Sequence, residues 1–204
     1  MKHFILICLF TAGLLVACNN NKTNDSAKTE ETNKETGSDE KTADNKTTNS
    51  ADAMTQKIEE LKKLTPLTTD QVKAIFPDEY MGMNRSNFSV NSGVAGMGTV
   101  FGSATYKGEG DKELKVNIWD CAGEAGSAIY GMKYYTLWNF QHEDDNGYQK
   151  TVDFNGQKAI EQYSKSNDEY TLSYVANDRL LVVLSGEKMG LDAVKEAGKN
   201  LNLK

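Results

Sequence analysis

Apolar side chains recur every three or four positions at three places in the chain, and this period is typical of amphipathic helices. It predicts helices over 54–64, 122–140 and about 190–200. A capping-box pattern, Thr68-Thr69-Asp70-Gln71, predicts a further short helix over 69–76. The chain therefore has four predicted helices, two of them before any strand.

Between the helices, apolar and polar positions alternate, which is typical of half-buried strands. The predicted strands cover 85–90, 99–106, 112–119, 148–154, 157–163, 170–175 and 180–184. A two-residue turn at Asn155-Gly156 predicts one hairpin, and a turn around Asn177-Asp178 predicts another between the last two strands. Leu180 to Leu184 is apolar at every position, which predicts a strand buried on both faces.

This order of elements predicts an α+β fold, with a mainly antiparallel sheet of about six to seven strands flanked by helices. The hairpin–helix–meander–helix order over roughly 80–204 resembles that of the PsbP-like α/β/α sandwich. That resemblance implies helices on both faces of the sheet. The stretch from Tyr148 to Leu191 also resembles small uncharacterised envelope proteins of diderm bacteria, which implies no known chemistry.

Composition divides the 204 residues into three segments. Residues 1–17 have a short basic start and an apolar stretch too short to span a bilayer, which predicts a signal peptide. Residues 18–53 begin with Cys18 and then contain no Val, Ile, Leu, Met, Phe, Tyr or Trp, which predicts a disordered polar tether. Residues 54–204 are predicted to form a single α+β globular domain.

The end of the leader, Leu15-Val16-Ala17-Cys18, resembles the lipobox of bacterial lipoproteins, which signal peptidase II cleaves. The resemblance implies that the Cys18 thiol carries a diacylglycerol and that cleavage occurs just before it. The new N-terminal amine is often acylated as well, with chains such as palmitate. Two or three acyl chains make membrane anchoring stable, whereas a single chain is marginal.

The Asn- and Lys-rich usage fits the Bacteroidota. Residues after Cys18 lack both the acidic cluster that exports some lipoproteins of that phylum and the Asp that retains enterobacterial ones at the inner membrane. The resemblance therefore favours an outer-membrane lipoprotein facing the periplasm over the cell surface or the inner membrane. Asp25-Ser26-Ala27 resembles an O-glycosylation motif of the same phylum, although a chance match is the alternative in so Ser- and Thr-rich a segment.

The net charge of −6 and the lack of a basic block argue against a nucleic-acid partner. After loss of the leader only Cys121 is a free thiol, so no internal disulfide is predicted. Cys121 lies between a strand and a helix, where a thiol can be activated, but the remaining chain has one histidine, His142, at the far end of that helix. A buried structural cysteine is therefore predicted.

No cofactor, metal or catalytic residue is predicted. One histidine and one thiol do not make a His/Cys metal set. The acidic stretch Glu143–Gly147 suits Ca²⁺ by chemistry but lacks EF-hand spacing, and a polar loop over 141–146 is the preferred interpretation. The Gly-rich stretch 91–98 lacks the end of a phosphate-binding loop, and Gly-x-Ser-x-Gly does not occur.

Aromatic residues concentrate in the predicted helix 122–140. Tyr134 and Trp138 are four residues apart and share one helix face, and Trp119 ends the preceding strand. Two interpretations stay open, namely core packing and an exposed strip that binds a ligand or a partner. These three residues are the candidate binding residues.

The sequence favours a membrane-anchored envelope lipoprotein whose domain binds an unidentified envelope protein, polymer or small molecule without catalysis. A periplasmic inhibitor or immunity-type protein is the alternative, which a protruding acidic loop at 141–147 would favour. A hydrolytic enzyme comes third, because the sequence offers no recognisable nucleophile–base pair. The predicted partners are thus the membrane, through lipid on Cys18, and one envelope component.

Overall fold

The fold is α+β, and its strands are joined by the hairpins that the turn residues favour. A computed structural model describes residues 44–92, 98–134 and 139–203. In these ranges the chain forms four helices and one open sheet of nine strands, in which every neighbouring pair is antiparallel. The predicted signal peptide, 1–17, and positions 18–43 of the predicted tether lie outside the described residues.

The helices are α1 (Asp44–Lys62), α2 (Thr69–Lys73), α3 (Gly123–Tyr134) and α4 (Leu191–Asn200). The strands are β1 (Glu79–Tyr80), β2 (Met83–Ser92), β3 (Val100–Lys107), β4 (Glu113–Asp120), β5 (Gln141–Asp144), β6 (Gly147–Phe154), β7 (Gln157–Ser164), β8 (Glu169–Ala176) and β9 (Leu180–Glu187). Their order across the sheet is β1-β2-β3-β4-β9-β8-β7-β6-β5. Two meanders, β1–β4 and β5–β9, therefore meet at the central pair β4–β9.

Both predicted hairpin turns are confirmed. Asn155 and Gly156 have φ angles of 50° and 77°, and Asn177 and Asp178 have φ angles of 52° and 53°. Two successive left-handed residues match the right-handed twist of the flanking strands, which is why such dipeptides favour hairpins. The local sequence thus sets the connections of the second meander.

One face of the sheet carries the main hydrophobic core, which α2 and α4 cover. Leu114, Val116 and Ile118 of β4 are fully buried on this face, and Val194 of α4 is fully buried against them in the same cluster. The capping box predicted at Thr68 is present, with its side chain accepting from the Gln71 N–H and the Gln71 side chain accepting from the Thr68 N–H.

The other face carries a smaller cluster beneath α1 and α3. Leu61 of α1 and Tyr130 of α3 pack there with Val175 of β8 and Leu181 of β9. Leu181 and its neighbour Val182 are both buried although they point to opposite faces. The prediction that the sheet centre is covered on both sides is therefore confirmed at Leu181, whereas Val183 is only half-buried, so β9 is not buried on both faces along its whole length.

The predicted count of six to seven strands is too low, because β1 and β5 form the two edges of the sheet. The polar loop predicted over 141–146 is wrong, since residues Gln141–Asp144 pair with β6. All four β5 residues are exposed, so no hydrophobic alternation marks them. The tight turn after β5 forms because Asp144 Oδ1 accepts the N–H groups of Asn146 and Gly147.

Helix boundaries also differ from the sequence predictions. The helix predicted over 54–64 begins at Asp44, ten residues earlier, inside the segment predicted to be a tether. Adding residues to a formed helix costs far less than starting one, so an amphipathic stretch extends into polar sequence without an apolar signal. α2 ends at Lys73 rather than 76, and residues 135–138 of the predicted helix 122–140 lie outside the described ranges.

Candidate functional site

Trp119 lies at the boundary between the smaller cluster and solvent. It pairs across the β3–β4 ladder with Phe101, and the two ring centroids are 4.8 Å apart with their planes inclined by 41°. Both rings are half-buried, and Trp119 also packs against the cluster that contains Leu61 and Cys121. Trp119 therefore anchors the core on one side while part of its ring stays accessible.

The other two predicted binding residues are Tyr134 and Trp138. Tyr134 is the last residue of α3, and only its backbone is described. Trp138 lies outside the described residues. The structure thus places Trp119 on the α3 side of the sheet, and the predicted grouping with Tyr134 and Trp138 stays a prediction.

Next to the Phe101–Trp119 pair, the sheet presents side chains that are mostly short and polar and that belong to neither hydrophobic cluster. We call this surface the open face. It consists of Ser103 and Thr105 of β3, Lys115 and Asn117 of β4, Val183 and Ser185 of β9, and Thr171 and Ser173 of β8. All eight are half-buried or exposed.

Hydrogen bonds between neighbouring strands orient side chains of the open face. Ser103 Oγ donates to Asn117 Oδ1 at 2.8 Å. Thr171 and Ser185 share a hydrogen bond between their hydroxyls at 2.9 Å. Each hydroxyl or amide keeps further donor or acceptor capacity, so the surface can still bind polar groups.

A groove of about 520 Å³ separates α1 from α3. Met54 and Ile58 line it from α1, and Glu124 and Gly131 line it from α3. Gly131 allows close approach, since a Cβ there would lie 3.2 Å from Ile58 Cδ1. The groove is largely apolar and lies on the same side of the sheet as the open face.

Asp120 and Arg179 form a buried polar network that the sequence did not reveal. Arg179 donates to both carboxylate oxygens of Asp120, and the N–H groups of Leu67 and Ala122 donate to the same oxygens. Burial raises the pKa of the Asp120 carboxyl, but these hydrogen bonds outweigh burial and hold the pKa below its ordinary value. The signal in the sequence was an acid at a core-facing position of β4.

Cys121 is fully buried, and its thiol pKa is raised to about 12 because burial disfavours the thiolate. His142 lies on β5, five strands away from β4 in the sheet order, which corresponds to about 24 Å. The structure therefore does not bring the two together as a nucleophile–base pair. Cys121 packs as a small apolar side chain.

Glu161 is a second buried carboxylate that the sequence did not reveal. It accepts from Tyr148 Oη at 2.9 Å and pairs with Lys150 at 3.2 Å and Lys195 at 2.7 Å. Burial raises its pKa, but the bonds from Lys195, Tyr148 and Lys150 outweigh burial and lower the pKa overall. The network ties α4 to β6 and β7, and its signal was a charge at an inward position of β7.

The acidic stretch after α3 forms the β5–β6 hairpin. Asp144 caps the turn, and its pKa is lowered chiefly by the Asn146 N–H. Among the side chains that the structure describes, no three His, Cys, Asp or Glu residues are grouped so as to hold a metal ion. The hairpin therefore has a conformational explanation for its Asp and Asn residues.

No family model, curated protein or solved structure matches the chain. Within the described ranges, no helix combines the length and the apolar character needed to cross a bilayer. The fold and the open face are accordingly the basis for any assignment of function.

Proposed function

We propose that this protein is a lipid-anchored envelope protein whose α+β domain binds another envelope component at the open face, without catalysing a reaction. The observation that carries the proposal is Trp119, whose ring is half-buried beside Phe101 at the margin of a polar sheet surface. An aromatic ring next to hydroxyl and amide groups is typical of binding surfaces, because it supplies contact area at low entropic cost.

The anchor in this proposal is lipid on Cys18, at the end of the Leu15-Val16-Ala17-Cys18 motif. The proposed location is the periplasmic side of the outer membrane. We further propose that the domain is related to the PsbP-like sandwich. The presence of helices on both faces of an antiparallel sheet supports that relationship.

The anchor is tested by Cys18→Ala. We expect the variant to leave the membrane fraction and appear in the soluble fraction of the same cells, because its acyl chains are lost. Cys8→Ala, which makes the same substitution in the leader outside the lipobox, is the control. Unchanged partitioning of the Cys18 variant into membranes would contradict the anchor.

The binding surface is tested by cross-linking the full chain in its native envelope. Trp119→Ala removes the ring, and Asn117→Arg blocks the open face without altering the core. We expect both variants to lose the cross-linked product that the wild type forms. Met81→Ala is the control, because Met81 is an exposed large apolar residue that contacts Asn200 of α4, on the opposite side of the sheet. A product that survives both changes, or is lost equally in the control, would contradict the proposal.

A further inference from the structure

Most of strand β2 lies open at one edge of the sheet. Its neighbour on that side, β1, is two residues long and pairs only with the first two residues of β2. Next, the Arg85 N–H donates to the Asp78 carbonyl, and beyond that point no described strand pairs with the outer side of β2. Residues 87–91, which we call the open segment, therefore pair with β3 on one side only.

The strand registers show which main-chain groups point outward from the open segment. In an antiparallel ladder, alternate residues direct both the N–H and the C=O to the same neighbouring strand. Because the Gly108 N–H donates to the Lys112 carbonyl, the even-numbered residues of β3 point toward β4 and the odd-numbered residues point toward β2. The odd-numbered residues pair with Asn87, Ser89 and Asn91. The N–H and C=O groups of Phe88 and Val90 therefore point outward.

The open segment lacks the features that usually protect a sheet edge. Short length, charged side chains and proline keep edge strands from pairing with other chains. The opposite edge, β5, has four residues and carries Glu143 and Asp144. The open segment contains no charge and no proline, and the charges at its end, Arg85 and Asp78, form an ion pair with each other. The sheet therefore has one protected edge and one unprotected edge.

The open segment is complementary to a second copy of itself. Two antiparallel copies overlap over the whole segment when Ser89 faces Ser89 of the second copy. In this register Phe88 lies opposite Val90 of the second copy, and both residues direct their main-chain groups to the shared edge. Aromatic and β-branched side chains form favourable cross-strand pairs. Asn87 then faces Asn91 of the second copy, so no like charges oppose each other.

We propose that this protein forms a twofold dimer in which β2 of one copy pairs antiparallel with β2 of the other. The twofold axis passes between the two Ser89 residues, perpendicular to the sheet, so the two open faces lie on the same side. Asn87 and Ser89 pair with Thr105 and Ser103 of the open face, which makes the two open faces one continuous surface. The inference goes beyond the proposed function and does not depend on it.

The same geometry limits the assembly to two copies. Both copies use the same edge, so the contact is isologous and closes on itself. The joined sheet then ends at a β5 strand on either side, and β5 is short and charged. A discrete dimer is therefore expected and not a fibre.

The first test is disulfide trapping of the full chain in its native envelope. The two Ser89 residues form a non-hydrogen-bonded pair, whose Cα atoms are about 4.5 Å apart, which suits a disulfide. Ser89→Cys should therefore give a reducible dimer on mild oxidation. Asn87→Cys is the matched control, because Asn87 is exposed on the same face of β2 but lies about 13 Å along the strand from its own copy.

We expect at least about tenfold more linked dimer from Ser89→Cys than from Asn87→Cys. A mixed dimer should also form when Asn87→Cys and Asn91→Cys are expressed together. Equal products from the first two variants, or no product from either, overturn the inference. A Ser89→Cys product that contains a different protein also overturns it, because the edge would then accept a strand from another chain.

The second test is analytical sedimentation of the full chain in detergent. Ser89→Lys places two like charges opposite each other at the axis, whereas Ser166→Lys makes the same change in an exposed turn. We expect dimers from the wild type and Ser166→Lys, and a dissociation constant at least about tenfold higher for Ser89→Lys. A monomeric wild type, or equal dissociation of the two lysine variants, overturns the inference. The proposed function fails separately, when neither Trp119→Ala nor Asn117→Arg changes the cross-linked product in the envelope.

Discussion

Asp120 and Arg179 form a bidentate ion pair that joins the end of β4 to the turn before β9. The Nε–Oδ1 and Nη2–Oδ2 distances are 2.7 and 2.8 Å, and the Asp120 side chain is fully buried. Arg179 also donates to the carbonyl of Thr65, and its own carbonyl accepts the N–H of Cys121. The α1–α2 connection, β4 and the β8–β9 turn are therefore held by a single pair of side chains.

Replacing Arg179 by Met should strongly destabilise the fold. The change leaves the buried Asp120 carboxylate with only two main-chain donors, and removal of one partner from a buried pair costs about 3–5 kcal/mol. The measurement is urea unfolding at pH 7, followed by circular dichroism. Lys158→Met is the control, because Lys158 pairs with Asp153 at the surface and such pairs contribute less than about 1 kcal/mol. Equal losses in the two variants would show that the network does not stabilise the fold.

The elements of this fold that the sequence predicted share one property, namely a local cause. The turns at Asn155-Gly156 and Asn177-Asp178 need left-handed residues, and the helix after Thr68 needs a cap that the same few residues supply. β5 was missed because an exposed edge strand carries no apolar alternation and exists only through pairing with β6. The start of α1 at Asp44 was missed because the first ten residues of the helix carry no large apolar side chain.

The candidate site was predictable only in part, since its main features depend on register. Trp119 was identified as an aromatic residue at a strand end, but its partner Phe101 is eighteen residues earlier and becomes its neighbour only through the β3–β4 hairpin. The open face needs three registers at once, those of the β3–β4, β4–β9 and β8–β9 pairs. Glu161 meets Lys195 across thirty-four residues for the same reason.

Glu161 predicts how stability depends on pH. Its folded pKa lies below the ordinary value of 4.5, so the folded protein binds fewer protons than the unfolded chain near that pH. The stability that the ionised Glu161 carboxylate supplies is therefore fully present above pH 4.5 and is lost as the pH falls through the folded pKa. Glu161→Gln should cost about 1–3 kcal/mol at pH 7, and the difference from the wild type should narrow on acidification.

The measurement for Glu161 is the urea midpoint of wild type and variant at several values between pH 7 and pH 3. Glu196→Gln, at an exposed position of α4, is the carboxyl-to-amide control. A difference between the wild type and Glu161→Gln that stays constant over the whole range would show that the Glu161 charge is not what stabilises the α4 contact.

A side chain larger than hydrogen at position 102 should clash with its neighbours in the main core. A Cβ at this position would lie 2.5 Å from Phe76 Cε2 and 2.7 Å from Val72 Cγ1, so Val72 of α2 and the Phe76 ring that follows α2 must shift to accommodate it. Gly102→Ala should therefore destabilise the protein by about 1–3 kcal/mol in urea unfolding. Adding Phe76→Leu to the Gly102→Ala variant should cost less than adding it to the wild type, because the two changes share one contact.

The control for Gly102 is Gly190→Ala, since a Cβ at Gly190 meets no described atom within 4 Å. Gly190 is the N-cap of α4, so we expect a loss of less than about 1 kcal/mol there. A loss at Gly102 no larger than at Gly190 would mean that α2 adjusts freely and does not pack tightly on β3.

The burial of Cys121 beneath α1 and α3 predicts that thiol reagents label it slowly in the folded protein. With its pKa raised to about 12 by burial, only about one thiol in ten thousand is a thiolate at pH 8. In a chain with Cys8 and Cys18 replaced by Ser, we expect a thiol reagent to label Cys121 only as fast as the protein unfolds. Labelling should then accelerate with urea in proportion to the unfolded fraction. Ser166→Cys, in an exposed turn, provides the fast reference, and native Cys121 labelling at that reference rate would show that α1 and α3 open without global unfolding.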